Sequence, residues 1–180
     1  MNFRAQQLPY AILERIGIKK RTILEMPPEE LKGILSGRPS SLVSIAPHGE
    51  KILVKFVLRS ENDGSVGIRV YQVKDKMTPP KGFKKEDIDK LKKGRSVVIP
   101  CVSKNGVEEP HMFKLDKETN EVMKFRVRGI KVPDQIEGVR LSNLEREDLL
   151  KGMEIGVTKN DGSSVRLFID ITSHKGYHLK

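Results

Sequence analysis

Three observations in the chain predict an α+β fold. Short helical patterns crowd the first 37 residues, hydrophobic alternation of period two takes over from Leu42, and the same helix-then-strand order recurs twice more. The 180 residues suffice for one ordinary domain or for two or three small modules. A hydrophobic share of 37% with 15 glycines is globular, and the absence of tryptophan makes the expected core aliphatic. The expected architecture is therefore short N-terminal helices followed by small antiparallel sheets.

The helices are set by their stops. Pro9 suits the first turn of a helix whose stripe is Ile12, Leu13 and Ile16 and whose end is Gly17. A second helix runs from Lys19 to Glu25, burying Ile23 and Leu24, and Pro27-Pro28 stops it. Glu29 and Glu30 open a third, with Leu31, Ile34 and Leu35 inward and Gly37 as terminator. Each spans about two turns, so packing must hold it.

Strands follow. Ile52, Val54, Phe56 and Leu58 alternate with their neighbours, Asn62-Asp63-Gly64 turns the chain, and Val66, Ile68 and Val70 return. Lys74 to Phe83, with Pro79-Pro80 and Gly82, reads as a linker or exposed loop. Next come a helix carrying Ile88 and Leu91, a stop at Gly94, a strand from Val97 to Ile99 and a turn at Asn105-Gly106. A hairpin around Lys117-Glu118-Thr119-Asn120 then joins Met112–Leu115 to a strand from Val122 to Val127. The last segment places Asp148, Leu149 and Leu150 in a helix stopped by Gly152, a strand from Glu154 to Val157, a turn at Asn160-Asp161-Gly162 and a return from Val165 to Ile171.

The stopping glycines Gly37, Gly94 and Gly152 stand 57 and 58 residues apart, and eleven positions before them stand Met26, Phe83 and Leu141. This spacing predicts degenerate helix-strand-hairpin repeats. The expected modules are 1–75, a helical cap with an antiparallel sheet, then 76–132 and 133–180.

Charge points to a class of partner. The net charge of +10 (34 basic against 24 acidic residues) suits a polyanion, and residues 76–132 carry 15 basic and 8 acidic residues. Alternate strand residues share a face, so Lys124, Arg126 and Arg128 are expected to form a basic ridge with no acidic partner within residues 122–132, and Met123, Phe125 and Val127 to turn to the core. A cation roughly every 6.6–7 Å along such a face resembles the spacing of backbone phosphates. Lys51, Lys55 and Arg59 form a second expected ridge, with Arg69 and Tyr71 on the facing strand. The alternative is that both are the wet faces of antiparallel sheets.

Other patterns carry less. The run Lys81, Lys84, Lys85, Lys90, Lys92, Lys93 and Arg95 reads as a phosphate clamp or as a solvated helix diluted by Glu86, Asp87 and Asp89. Lys19 to Thr22 opens either a recognition helix or a packing cap. Cys101 near His111 reads as a structural thiol, and His174 with His178 as an ordinary C-terminal strand or tail. A hydrolase or nuclease would require a carboxylate cluster, and its candidates Asp116, Asp161 and Asp170 are equally explained as turn and strand-end residues. Exposed aromatics for base stacking are few beyond Tyr10, Tyr71 and Tyr177. Without a Gly-rich phosphate loop, paired-cysteine zinc pattern or nucleophile elbow, the expectation is no enzyme, no cofactor and no metal. One cysteine excludes an internal disulfide and favours the cytoplasm, and no signal peptide or membrane span is expected.

Several stretches carry a resemblance. They are Leu8-Pro9-Tyr10, the run from Leu13 to Ile18, Leu35-Ser36-Gly37-Arg38 with Leu42, the hairpin from Asp116 to Glu121, and Gly138 to Ser142 with Leu150-Lys151-Gly152. Over most of its length the chain resembles uncharacterised proteins of conjugative and other mobile elements of Bacteroidetes, built from paired domains of unknown function. The resemblance implies a cytoplasmic accessory protein in a nucleic-acid context and supplies no catalytic residues. The expected function is thus non-enzymatic binding of DNA or RNA through phosphate contacts. The alternative is a protein-protein adaptor or inhibitor acting on a host or element-encoded partner.

Overall fold

A computed structural model describes residues 3–46, 49–61, 63–102 and 106–180. The turn residues Asn62 and Asn105 lie outside them. The chain is mixed α+β, with short helices preceding small antiparallel sheets as the sequence predicts. It divides into two compact units. The first takes the chain to Thr78 together with Asp116–Glu121 and Thr172–Gly176; the second takes Pro79–Leu115, Val122–Ile171 and Tyr177–Lys180.

In the first unit, α1 (Tyr10–Arg15), α2 (Lys20–Leu24) and α3 (Pro28–Leu35) precede β1 (Val43–Ile45), β2 (Ile52–Ser60) and β3 (Val66–Gln72). The strands form a sheet in the order β1-β2-β3, with Phe56 opposite Val70 and Lys55 opposite Tyr71. Leu13, Ile18, Ile23 and Ile34 from the helical segment close a core on Val54, Phe56 and Leu58. α2, five residues long and with Ile23 in that core, serves as part of a packing cap.

The second unit repeats this order twice. α4 (Lys85–Lys92) precedes β4 (Val97–Val102), β5 (Glu108–Asp116, whose last residue belongs to the first unit) and β6 (Glu121–Arg126, whose first does). After β7 (Gln135–Ile136) and β8 (Val139–Arg140), α5 (Asn143–Leu150) precedes β9 (Ile155–Thr158), β10 (Ser164–Ile169) and β11 (Tyr177–Leu179). The sheets run β4-β5-β6 and β11-β10-β9, so in all three copies the middle strand in sequence is central in space. Around α4, Leu91, Val97 and Phe113 are buried together, and Phe83 meets Phe113 edge-on with centroids 4.9 Å apart.

The repeat glycines share one geometry. Gly37, Gly94 and Gly152 have φ of +78°, +77° and +83°, a left-handed cap that a side chain would strain. Each cap closes with the same pair of main-chain bonds: Gly94 N–H to Leu91 O at 2.9 Å and Arg95 N–H to Lys90 O at 3.0 Å, with counterparts at Gly37/Arg38 and Gly152/Met153. This double bond satisfies carbonyls that a helix end leaves open, which is why so short a helix stops at that position each time.

α5 has the strongest N-terminal signal. The Ser142 hydroxyl accepts from Glu145 N–H at 3.3 Å, while the Glu145 carboxylate accepts from Ser142 N–H at 2.8 Å and from its hydroxyl at 2.7 Å, and these bonds hold the Glu145 pKa below the usual carboxylate value. Ser142→Ala is expected to lower stability by about 1 kcal/mol near neutral pH. Because the folded-state pKa is the lower one, the Glu145 contribution is complete above the unfolded-state value and is lost as pH falls through the folded-state value. The gap between the variant and the parent in urea melts should therefore narrow in acid; a gap constant with pH would contradict the reciprocal cap.

Candidate nucleic-acid interface

The first expected ridge is exposed but neither continuous nor without a partner. β6 ends at Arg126, and Val127–Gly129 turns into a short 3-10 segment that carries Arg128 out of the strand. Lys124 is exposed, with its Nζ 5.5 Å from the centre of the Phe113 ring. Arg126 and Arg128 are also exposed, yet both reach Glu109 on β5: Arg126 Nε lies 3.4 Å and Arg128 Nη1 3.0 Å from its carboxylate oxygens, and the Glu109 side chain is only 16% exposed. One carboxylate thus gathers two guanidiniums: residues 122–132 hold no acidic side chain, and the partner comes from Glu109 one strand away. Met123 is buried as expected, while Phe125 and Val127 are half-buried.

The second expected ridge is broken at its centre. Lys51 and Arg59 are exposed, and Arg59 pairs with Glu61 at 2.7 Å. Lys55 is 3% exposed. Its Nζ lies 3.0 Å from Asp116 Oδ2 and 2.6 Å from Glu118 Oε2, and it donates to Thr172 O at 3.3 Å. Asp116 is equally buried and accepts from Glu118 N–H and from the Thr119 hydroxyl, each at 3.1 Å. A continuous buried run from Val54 to Leu58 shows why: both faces of β2 are covered there, and a face that is polar by alternation is not thereby wet. Tyr71, opposite Lys55, is buried too, and burial pushes its hydroxyl pKa up against the opposing pull of Arg69. It offers no stacking surface. Arg69 itself is exposed on β3.

The remaining sequence candidates make contacts of their own. Cys101 is half-buried with its thiol 3.8 Å from Ile99 O, and His111 Nδ1 lies 2.9 Å from Glu109 O. His178 stands in β11 against Phe168, with ring centroids 5.1 Å apart. Asp161 accepts from Ser163 within its turn, which lowers its pKa. Asp170 lies 3.6 Å from the buried Lys114 amine, which in turn sits 4.3 Å from the centre of the Phe168 ring. Among the described residues no cluster of three His, Cys, Asp or Glu side chains is placed to hold a metal, and no helix is long and apolar enough to cross a membrane.

The second unit also holds a basic cleft that strand alternation did not reveal. It encloses about 760 Å³ and is lined by Lys90, Arg95, Lys151 and Arg166, with Asp87 and Glu154 as the acidic members. Two of these cations, Lys90 and Arg95, belong to the lysine-rich run around α4; the other two enter from α5's cap and from β10. No family model, curated protein or solved structure matches this chain.

Proposed function

We propose that this protein is a non-enzymatic accessory protein of a mobile element that binds nucleic acid through phosphate contacts, with little base readout. The observation that carries the reading is the exposure of Lys124, Arg126 and Arg128 together on β6 and the turn after it, opposed among the described residues by the single carboxylate of Glu109. An arginine held by one half-buried carboxylate keeps further donors for a phosphate oxygen, and the fixed fork of the guanidinium suits bidentate contact. The concentration of positive charge in residues 76–132 adds long-range attraction to the same region.

A salt-titrated binding assay against duplex DNA, single-stranded DNA and structured RNA, with heparin as the polyanion control, tests this reading. Binding is expected to exceed that to heparin and to fall steeply with salt. The Lys124→Ala, Arg126→Ala, Arg128→Ala triple variant should weaken duplex binding and flatten its log-log salt slope by up to about 2.7, at about 0.9 for every phosphate that is no longer neutralised. Glu109→Gln, which frees both arginines and keeps the side-chain shape, should strengthen binding. No binding at moderate salt, equal binding to heparin, or a triple variant with unchanged slope would overturn the reading.

A further inference from the structure

From the cleft we infer a site for single-stranded nucleic acid that is distinct from the β6 ridge; the inference rests on the nucleic-acid reading above and deepens it. All of its lining residues belong to the second unit. At about 760 Å³ the cleft is of the size that holds a nucleotide-scale ligand. A duplex meets such a cleft only with its outer phosphates, whereas a single strand can lay both backbone and bases into it.

The lining matches both parts of a strand. Lys90, Arg95, Lys151 and Arg166 supply charge for phosphates, while the exposed Met153 supplies apolar surface for a base; the Phe168 ring at the same wall is already engaged by Lys114 and His178. Met153 is 46% exposed although hydrophobic. The cations differ in how far they are already engaged. Lys151 bonds Asp148 at 2.9 Å, and Arg166 has only a loose 3.8 Å approach to Glu154. Among the described residues the side chains of Lys90 and Arg95 make no hydrogen bond or ion pair.

The internal repeat sharpens the point. Arg95 directly follows the capping glycine Gly94, as Arg38 follows Gly37. In the first unit the Arg38 guanidinium donates to the main-chain oxygens of His174, at 3.3 Å, and of Lys175, so a segment of the chain itself occupies the arginine. In the second unit the equivalent arginine opens into the cleft. A guanidinium in this position binds oxygen acceptors in one copy and lacks them in the other, and phosphate oxygens are the acceptors that also satisfy the surrounding charge.

The test compares a short oligo-dT strand with a duplex of the same length, using the full chain, its Arg95→Ala, Arg166→Ala double variant, and Glu154→Gln. Both arginines are exposed, so the double variant should keep the parent's melting behaviour. It should lose affinity for oligo-dT about tenfold or more and flatten that salt slope by about 1.4, at about 0.7 for each single-strand phosphate. Duplex binding, carried by the β6 ridge, should change little, and Glu154→Gln should raise oligo-dT affinity. Oligo-dT binding unchanged in the double variant, or single-strand and duplex binding reduced equally, would overturn the cleft site while leaving the proposed function standing. If the unmutated chain binds no nucleic acid at all, the proposed function falls and the cleft site with it.

Discussion

Lys55→Met is expected to destabilise the protein by about 3–5 kcal/mol, because it leaves the buried Asp116 carboxylate without its counter-charge. Lys55 joins β2 to the Asp116–Glu121 tip and to the carbonyl of Thr172, three segments far apart in sequence, and both Lys55 and Asp116 are almost wholly withdrawn from water. Taking a charge from water costs several kcal/mol, and only the partner and the surrounding hydrogen bonds offset that cost. The Asp116 carboxylate keeps its bonds from Glu118 N–H and the Thr119 hydroxyl in the variant, but these are dipoles, not a counter-charge. A second substitution separates charge from shape. Asp116→Asn in the Lys55→Met background removes the stranded charge and should recover a large part of the loss, so that the two changes are strongly non-additive in a double-mutant cycle. Urea melts of the four proteins measure this directly. A single-variant cost below about 1 kcal/mol, or simple additivity, would show that Lys55 is not the tie described. The same experiment bears on function, since a nucleic-acid affinity that follows the stability of these variants would have a structural and not a contact origin at Lys55.

Gly33→Ala should fail to stabilise α3, against the ordinary expectation for a helix interior. Alanine brings about 1 kcal/mol relative to glycine at an open helical position. Here an added Cβ would fall inside the contact distance of the His174 carbonyl oxygen and within 3.1 Å of the His174 carbonyl carbon and Cβ. Main chain is the obstacle, and main chain yields less readily than a side-chain tip. Overpacking of this kind costs about 1–3 kcal/mol, enough to cancel or exceed the helical gain. The local consequence should be larger than the global one: the segment 172–176, held on this side by Arg38 as well, should be released, and tryptic cleavage after Lys175 should accelerate. A variant more stable by about 1 kcal/mol with unchanged cleavage at Lys175 would contradict the close approach.

The order of elements was legible because its signals are short-range. Gly94 and Gly152, each with the residue after it, stop their helices through main-chain bonds that span three and five residues, and Ser142 caps α5 through a residue three positions on. Hydrophobic alternation placed Val54, Phe56 and Leu58 on one face of β2, where the core forms. The same alternation exposed its limit at Lys55. Period two assigns a side chain to a face but does not say whether anything covers that face, and the cover here comes from residues 61 and 117 positions away.

The candidate interface divides in the same manner. Exposure of Lys124 and Arg126 on β6 followed from strand geometry alone, whereas the 3-10 turn that carries Arg128 off the strand and the carboxylate that gathers both arginines required the neighbouring strand. The cleft was legible only in part: Lys90 and Arg95 lie in the lysine-rich run around α4, but Lys151 and Arg166 come from the α5 cap and β10, and no local pattern links these to the run. By itself the sequence determined the α+β class, the sites of the helix stops and the excess of positive charge, since these depend on each residue and its near neighbours. Which of those charges meet solvent, which are spent on an internal carboxylate and which converge on one cleft was decided by the tertiary structure, because burial and charge pairing are properties of segments that only folding brings together.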